Sequence, residues 1–261
     1  MRSLDIAATG MLAQQRNVEV VSNNLANMNT TAFMRRRTEF HDLIYQDLRR
    51  VGATSSDAGT IVPSGVQLGL GVKLAAVYRI HEQGSLTATD NTFDMAIQGK
   101  GFFQIDLPTG ETAFTRDGTF QLNASGEIVT HDGYAVQPGI TIPTNAIDVS
   151  INNSGQVQVK IDGQSALQTV GQLQVSTFPN EAGLESIGDN LYIETPASGA
   201  ATSGNPASTG FGSILQGFLE TSNVNAVEEV SNLISAQRAY EMNSKVIQTS
   251  DEMLGTLAQM R

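Results

Sequence analysis

Apolar residues recur every seven positions at both ends of the chain, and this pattern defines the first two elements. Toward the C-terminus Ala226, Leu233, Tyr240, Ile247 and Leu254 form one row, with Ala236, Asn243, Ser250 and Leu257 three positions further on. The spacing predicts a helix over 225–260 carrying a coiled-coil seam with a polar middle, because 3.5 residues per turn keeps one stripe facing a partner. Asn225 is placed to cap the first turn, and Glu228 stands three residues later to reciprocate. A second apolar row, Val246, Met253 and Met260, makes more than one face adhesive. Such a helix reaches about 54 Å, longer than a small domain is wide.

The N-terminus supplies the partner. Leu4, Met11, Val18 and Leu25 stand seven apart, followed three positions on by Ala7, Gln14, Val21 and Met28, which predicts a helix over 3–28. Asn and Thr between Leu25 and Phe33 compete for backbone hydrogen bonds and should end it. Residues 35–51 read as a short helix bearing Phe40, Leu43, Ile44 and Leu48. Residues 52–71, rich in Gly, Ser and Thr with Pro63, read as a linker or mobile loop.

From residue 72 to 192 the pattern changes to short strands, expected at 72–80, 95–97, 102–105, 114–116, 120–122, 127–129 and 156–160. Asp117-Gly118, Ser125-Gly126, Asp132-Gly133, Asp162-Gly163 and Pro108-Thr109-Gly110 supply the reversals between antiparallel strands. Residues 196–209, rich in Ala, Ser and Gly, read as the return connection. The expected fold class is α+β: a discontinuous coiled coil of the N- and C-terminal helices enclosing an all-β domain. Its parts are a terminal-helix domain of 1–30 and 222–261, a connecting region of 31–94 and 196–221, and a β-rich outer domain of 95–195.

Composition narrows the function. The 261 residues, 40% of them hydrophobic, can fill a real core. The absence of cysteine excludes disulfides, thiolate metal sites and cysteine nucleophiles. The net charge of −11 is uneven, since residues 1–50 hold seven basic and five acidic side chains and the rest is strongly acidic. Nucleic acid, which demands a positive stripe, is not an expected partner. Arg35, Arg36 and Arg37 form the one basic cluster, and a solvated loop or an intersubunit ion-pair site accounts for it. No apolar run is long enough for a membrane helix, and polar residues throughout 3–28 leave no secretory signal.

No catalytic set emerges. His41, His81 and His131 are scattered singly and read as solvated or satisfied side chains. Asp117 and Asp132 each precede Gly, where turn formation explains them. The pairs Gly69/Gly71 and Gly99/Gly101 lack the spacing of a nucleotide loop and read as backbone geometry. No cofactor, metal or enzymatic activity is expected. Two classes remain open: a structural subunit of a helical assembly, or an acidic glycan-binding or enzymatic β-domain carried on coiled-coil stalks. Heptads at both termini favour the first, because a surface that does not close on itself generates an open filament.

Four ordered blocks carry a more specific resemblance. The first is Ser22-Asn23-Asn24-Leu25-Ala26-Asn27-Met28-Asn29-Thr30-Thr31-Ala32-Phe33, and the second runs from Phe93-Asp94-Met95-Ala96-Ile97 to Gly99-Lys100-Gly101-Phe102-Phe103. The third is Phe114-Thr115-Arg116-Asp117-Gly118-Thr119-Phe120 with Gly126-Glu127-Ile128-Val129 and Asp132-Gly133-Tyr134. The fourth is Asn232-Leu233-Ile234, Gln237-Arg238-Ala239-Tyr240-Glu241 and Asn243. Together they resemble the bacterial flagellar rod and hook proteins, with Ser22, Asn23, Asn24, Leu25, Ala26, Asn27 and Phe33 as the family signature. The chain departs from the family at Ala32, where Gly is usual, and at Met34, often basic. Residues 180–192 and 215–224 look most like the distal-rod branch, with proximal-rod and hook-type axial subunits the nearest relatives.

The resemblance implies a subunit that polymerises with itself into a hollow helical shaft, transmitting torque from motor to hook and enclosing an export channel. The terminal helices would line the inner tube, with Leu4, Met11, Val18, Leu25, Leu233, Tyr240, Ile247 and Leu254 as assembly residues. Implied partners are proximal rod subunits, the hook protein, the surrounding periplasmic and outer-membrane rings, and the flagellar export apparatus. The implied location is the basal-body rod crossing the periplasm, reached by type III export with an uncleaved N-terminus. An extended segment within 52–71 would wedge between neighbouring subunits.

Overall fold

The computed structural model describes residues 2–49, 64–163 and 166–259. They form two compact units, one drawn from 1–26, 36–78 and 225–261 and the other from 27–35 and 79–224. Two terminal helices and a central region of strands make the chain α+β.

The first unit contains helix α1, Arg2–Ala26, and helix α2, Ala226–Gln259, packed on each other. Ser3 meets Ser250 and Gly10 meets Asn243, so the helices run antiparallel. Asn225 caps α2 as expected, its Oδ1 accepting the backbone N–H groups of Val227 and Glu228 at 3.1 and 3.4 Å. Among the described residues the helix expected over 35–51 is absent. Arg36–Asp42 is instead a strand paired with Val72–Arg79, and Tyr45–Arg49 is a strand paired antiparallel with Val66–Gly69. The physical reason is that the Asn24 amide engages both backbone groups of Arg36 in place of a further helical turn, and Arg36, Thr38 and Phe40 then alternate half-buried with exposed Arg37, Glu39 and His41. Of the expected linker over 52–71, residues 52–63 lie outside the described residues, and 66–69 form the strand just named.

The second unit is built from short antiparallel strands. Its largest sheet runs in the spatial order Glu185–Gly188, Leu191–Ile193, Thr112–Thr115, Phe102–Asp106, Ala135–Val136, Ile128–Thr130 and Phe120–Leu122. Val175–Thr177 branches from Phe102–Asp106 and carries Thr202–Gly204, so the expected return connection contains a strand. Ala146–Ile151, Gln156–Ile161 and Gln168–Gln172 form a separate three-stranded sheet. Met95–Gln98 pairs with Ser213–Gln216, and Leu86–Ala88 with Phe218–Glu220.

Its core is apolar and fully closed around Met95, Ile97, Phe103, Ile105, Phe120 and Val157. A smaller aromatic cluster holds Phe102, Phe114, Phe178 and Tyr192, with edge-to-face contacts of 4.8–5.9 Å. Gly118 is required by packing, since a Cβ there would lie 1.5 Å from the Met95 carbonyl oxygen. Gly99 and Gly101 adopt φ of 105° and 140°, consistent with a purely backbone role for that pair.

Candidate assembly surface

The two terminal helices approach through small and polar side chains. On α2 the most enclosed row is Glu229, Ala236, Asn243 and Ser250, each seven apart, with Asn243 half-buried and the others buried. On α1 the buried positions are Ala7, Ala13, Val21 and Asn24. At Gly10 the backbone comes so near that an added Cβ would lie 2.9 Å from Asn243 Nδ2. Ser250 and Ser3 hydroxyls meet at 3.3 Å. Small residues let helix axes close up, and this places the larger seam residues at the flanks.

Leu4, Met11, Val18 and Leu25 on α1, and Leu233, Ile247 and Leu254 on α2, are half-buried rather than enclosed. Tyr240 is 45% exposed. Other large apolar side chains stand in solvent: Ile6 and Leu12 on α1, and Val227, Val230, Ile234, Met242, Val246 and Met253 on α2, with Val227 81% and Met242 63% exposed. On a helical projection Val227, Val230 and Ile234 share one side of α2, and Met242, Val246 and Met253 share another roughly 100° around. A helix that displays apolar side chains on more than its packed side carries unspent burial capacity.

The signature residues divide by role. Asn24 is 1% exposed, and its amide both donates to the Arg36 carbonyl and accepts from the Arg36 N–H, each at 2.8 Å. This pairing mimics a strand neighbour and fixes where the first strand starts on α1. Thr38 adds a hydroxyl contact to Asn17 Oδ1 at 2.9 Å. Ser22, Asn23 and Ala26 are exposed, and Leu25 is half-buried. In the second unit Asn27 Oδ1 accepts the Thr30 hydroxyl at 3.1 Å, and the chain reverses through Ala32 at φ 55°. Ala32 N–H donates to the Glu220 carbonyl at 2.8 Å, while Phe33, half-buried, accepts the Asn223 N–H at 3.3 Å.

Two anchoring groups of the second unit were not singled out from sequence. Arg116, 6% exposed at its side chain, donates through Nε to Glu220 Oε2 at 2.9 Å and through its other nitrogens to the carbonyls of Ile97, Gly99 and Gly101. Glu220 Oε1 accepts the Gly84 N–H at 3.0 Å. Asn223 uses both ends of its amide, donating to the Ile80 and Glu82 carbonyls and accepting the Arg35 N–H at 2.7 Å. Arg116 lies in the family-like block 114–120 and Asn223 in the stretch 215–224, but a sequence shows only that an Arg or Asn is present. The partners lie 104 and 188 residues away.

Three family models match the chain in order: a flagella basal body rod protein model over residues 4–33, a flagellar hook protein FlgE/F/G D1 domain model over 96–159, and a flagellar basal body rod FlgEFG protein C-terminal model over 215–260. The flagellar basal-body rod protein FlgG of Caulobacter vibrioides is 61% identical over the whole of both chains. The chain belongs to the flagellar basal-body rod protein family. FlgG of Agrobacterium fabrum is 52% identical over 97% of each chain, and FlgG of Bacillus subtilis 39% over 100% of this chain and 99% of that one.

The rod-family segments coincide with the anchors. Asn24 and Ala32 fall in the first matched segment, Arg116 in the second, and Glu220 and Asn223 in the third. The buried ion pair therefore ties the second matched segment to the third inside one unit.

Among the described residues no group of three His, Cys, Asp or Glu side chains is arranged to hold a metal, and no helix is long and apolar enough to cross a membrane. Asp117 is used in its turn, its Oδ1 accepting the Thr119 N–H and hydroxyl at 3.1 and 2.9 Å. His131 and Asp132 form an exposed pair at 3.2 Å. His81 departs from the expectation of a solvated or satisfied ring. Its side chain is 9% exposed and neither ring nitrogen has a protein hydrogen-bond partner. Burial, with the positive charges of Arg79 and Arg116 nearby, pushes its pKa down to about 4.

Proposed function

We propose that this chain is the structural subunit of the flagellar distal rod, polymerising helically into a hollow shaft that carries torque from motor to hook. The observation that carries the reading is the set of large apolar side chains left in solvent on α1 and α2 while small and polar ones fill the space between the helices. That arrangement serves a helix pair finished by neighbouring copies. The pair forms a discontinuous coiled coil whose flanking residues, Leu4, Met11, Val18, Leu25, Leu233, Tyr240, Ile247 and Leu254, pack across subunit boundaries. The terminal helices surround the export channel and the β-rich domain faces the rings. Proximal rod subunits, the hook protein, the periplasmic and outer-membrane rings and the export apparatus are the partners, met after export without a cleaved signal. Nothing is catalysed.

The test uses the full chain at rising concentration under electron cryo-microscopy, beside Val230→Asp and Met242→Asp. Both side chains are exposed in the single subunit, so charge there spares folding and strikes only contacts between copies. Tubes from the parent chain and none from the variants, with unchanged strand signal in circular dichroism, is the expected result. Tubes of unaltered length and abundance from both variants would sink the reading.

A further inference from the structure

His81 stands at the end of a chain segment that enters the aromatic cluster of the second unit. Its ring meets Phe102 edge-on at 6.4 Å, and its Nδ1 lies 3.7 Å from Glu181 Oε2, beyond hydrogen-bond reach. Two guanidinium groups face the same place. Arg79 lies over the Tyr192 ring at 4.9 Å and donates to the Leu184 carbonyl, and Arg116 lies over Phe102 at 5.9 Å while bound to Glu220. The charged groups around the imidazole are thus Arg79 from its own segment, Arg116 bound to Glu220, and Glu181 from the short helical turn Glu181–Gly183. Glu82, next in sequence, pairs with Arg35 at 3.5 Å.

A neutral imidazole fits this site as an aromatic ring, while a protonated one would bring a third positive charge into an enclosed space with one carboxylate too distant to bond it. We propose that His81 is an acid-sensitive latch of the β-rich unit, which is held closed by the neutral ring and loosened when the ring takes up a proton. The direction follows from linkage. An unfolded chain protonates its histidine near pH 6.5, and the folded unit resists until about pH 4. The contribution is therefore constant above pH 6.5, falls as the pH drops through that window, and is fully lost below 4. Over the whole window the unfolding constant rises by up to about 300-fold from this one group. His41 and His131 are exposed at the surface.

The direct experiment is an NMR titration of the histidine ring protons in the full chain, with His41→Gln and His131→Gln assigning the remaining signal to His81. The expected result is a His81 midpoint below pH 5, or cooperative loss of the β-unit's folded signals between about pH 6.5 and 4 that His81→Phe abolishes. Glu181→Gln, which removes the nearby carboxylate, should move that loss to higher pH. A His81 midpoint near 6.5 with the folded spectrum intact would overturn the proposal. So would an acid transition of the same midpoint and steepness in His81→Phe. Where His81→Phe fails to fold, the wild-type His81 midpoint decides: below pH 5 it supports the latch, and near 6.5 it overturns it.

Discussion

Arg116 Nε and Glu220 Oε2 lie 2.9 Å apart with both side chains buried, although 104 residues of chain separate them. The guanidinium spends its remaining donors on the carbonyls of Ile97, Gly99 and Gly101, and the carboxylate takes the Gly84 N–H. An enclosed charge pair whose hydrogen-bonding capacity is met on both sides is costly to break from one side, because the survivor keeps its desolvation penalty without its partner.

Arg116→Met should therefore destabilise the second unit by about 3–5 kcal/mol, and Glu220→Gln by less, since an amide can still accept from Gly84. Arg116→Lys should resemble Arg116→Met more than wild type, because one ammonium cannot reach three carbonyls and a carboxylate in a planar fork. Urea unfolding followed by near-UV circular dichroism checks this, the aromatic cluster around Phe102 and Tyr192 being the reporter. A loss under about 1 kcal/mol for Arg116→Met would show that the pair is incidental.

The terminal helices were legible because a seven-residue repeat survives over many turns and both helices are long. The segment after α1 was not. Phe40, Leu43, Ile44 and Leu48 satisfy helical spacing as well as any short run can, and what selects a strand is the Asn24 amide engaging both backbone groups of Arg36. A tertiary contact of that kind leaves no mark in local periodicity. Strands of two or three residues, such as Ala135–Val136 and Thr202–Gly204, were missed for the same reason. At Gln216 the side-chain amide bonds Val149 O and Ile151 N–H, taking the place of a neighbour along the strand Ala146–Ile151. On α2 the row with Asn243 and Ser250 is the one closer to α1, because Gly10 and short side chains let the backbones approach there.

Ala32 occupies the left-handed region at φ 55° and is buried. Relief of left-handed strain in Ala32→Gly is worth about 1–2 kcal/mol. Against it stand one lost buried methyl, about 0.8 kcal/mol, and the greater freedom of Gly in the unfolded chain, about 0.5–1 kcal/mol. The terms nearly cancel, so Ala32→Gly should lie within about 1 kcal/mol of wild type. Ala32→Val meets both strain and crowding and should cost more than about 2 kcal/mol. Thermal unfolding of the two variants side by side tests the backbone geometry, since a right-handed residue here would reverse the order.

Gly10 and Asn243 set the helix spacing together, and a double-mutant cycle can isolate their coupling. Gly in a helix interior costs about 1 kcal/mol relative to Ala, so Gly10→Ala would stabilise an isolated α1. In the pair its methyl meets the Asn243 amide at 2.9 Å and the side chain must turn away, which consumes that gain. Asn243→Ala clears the space. The double variant should then exceed the sum of the singles by about 0.5–1.5 kcal/mol, read from thermal melting of helical circular dichroism. Gly10→Leu, too large for any Asn243 rotamer to avoid, should separate the helices and lower helical content with the strands intact. Additivity of Gly10→Ala and Asn243→Ala, with Gly10→Leu as helical as wild type, would mean that the helices do not meet at this point.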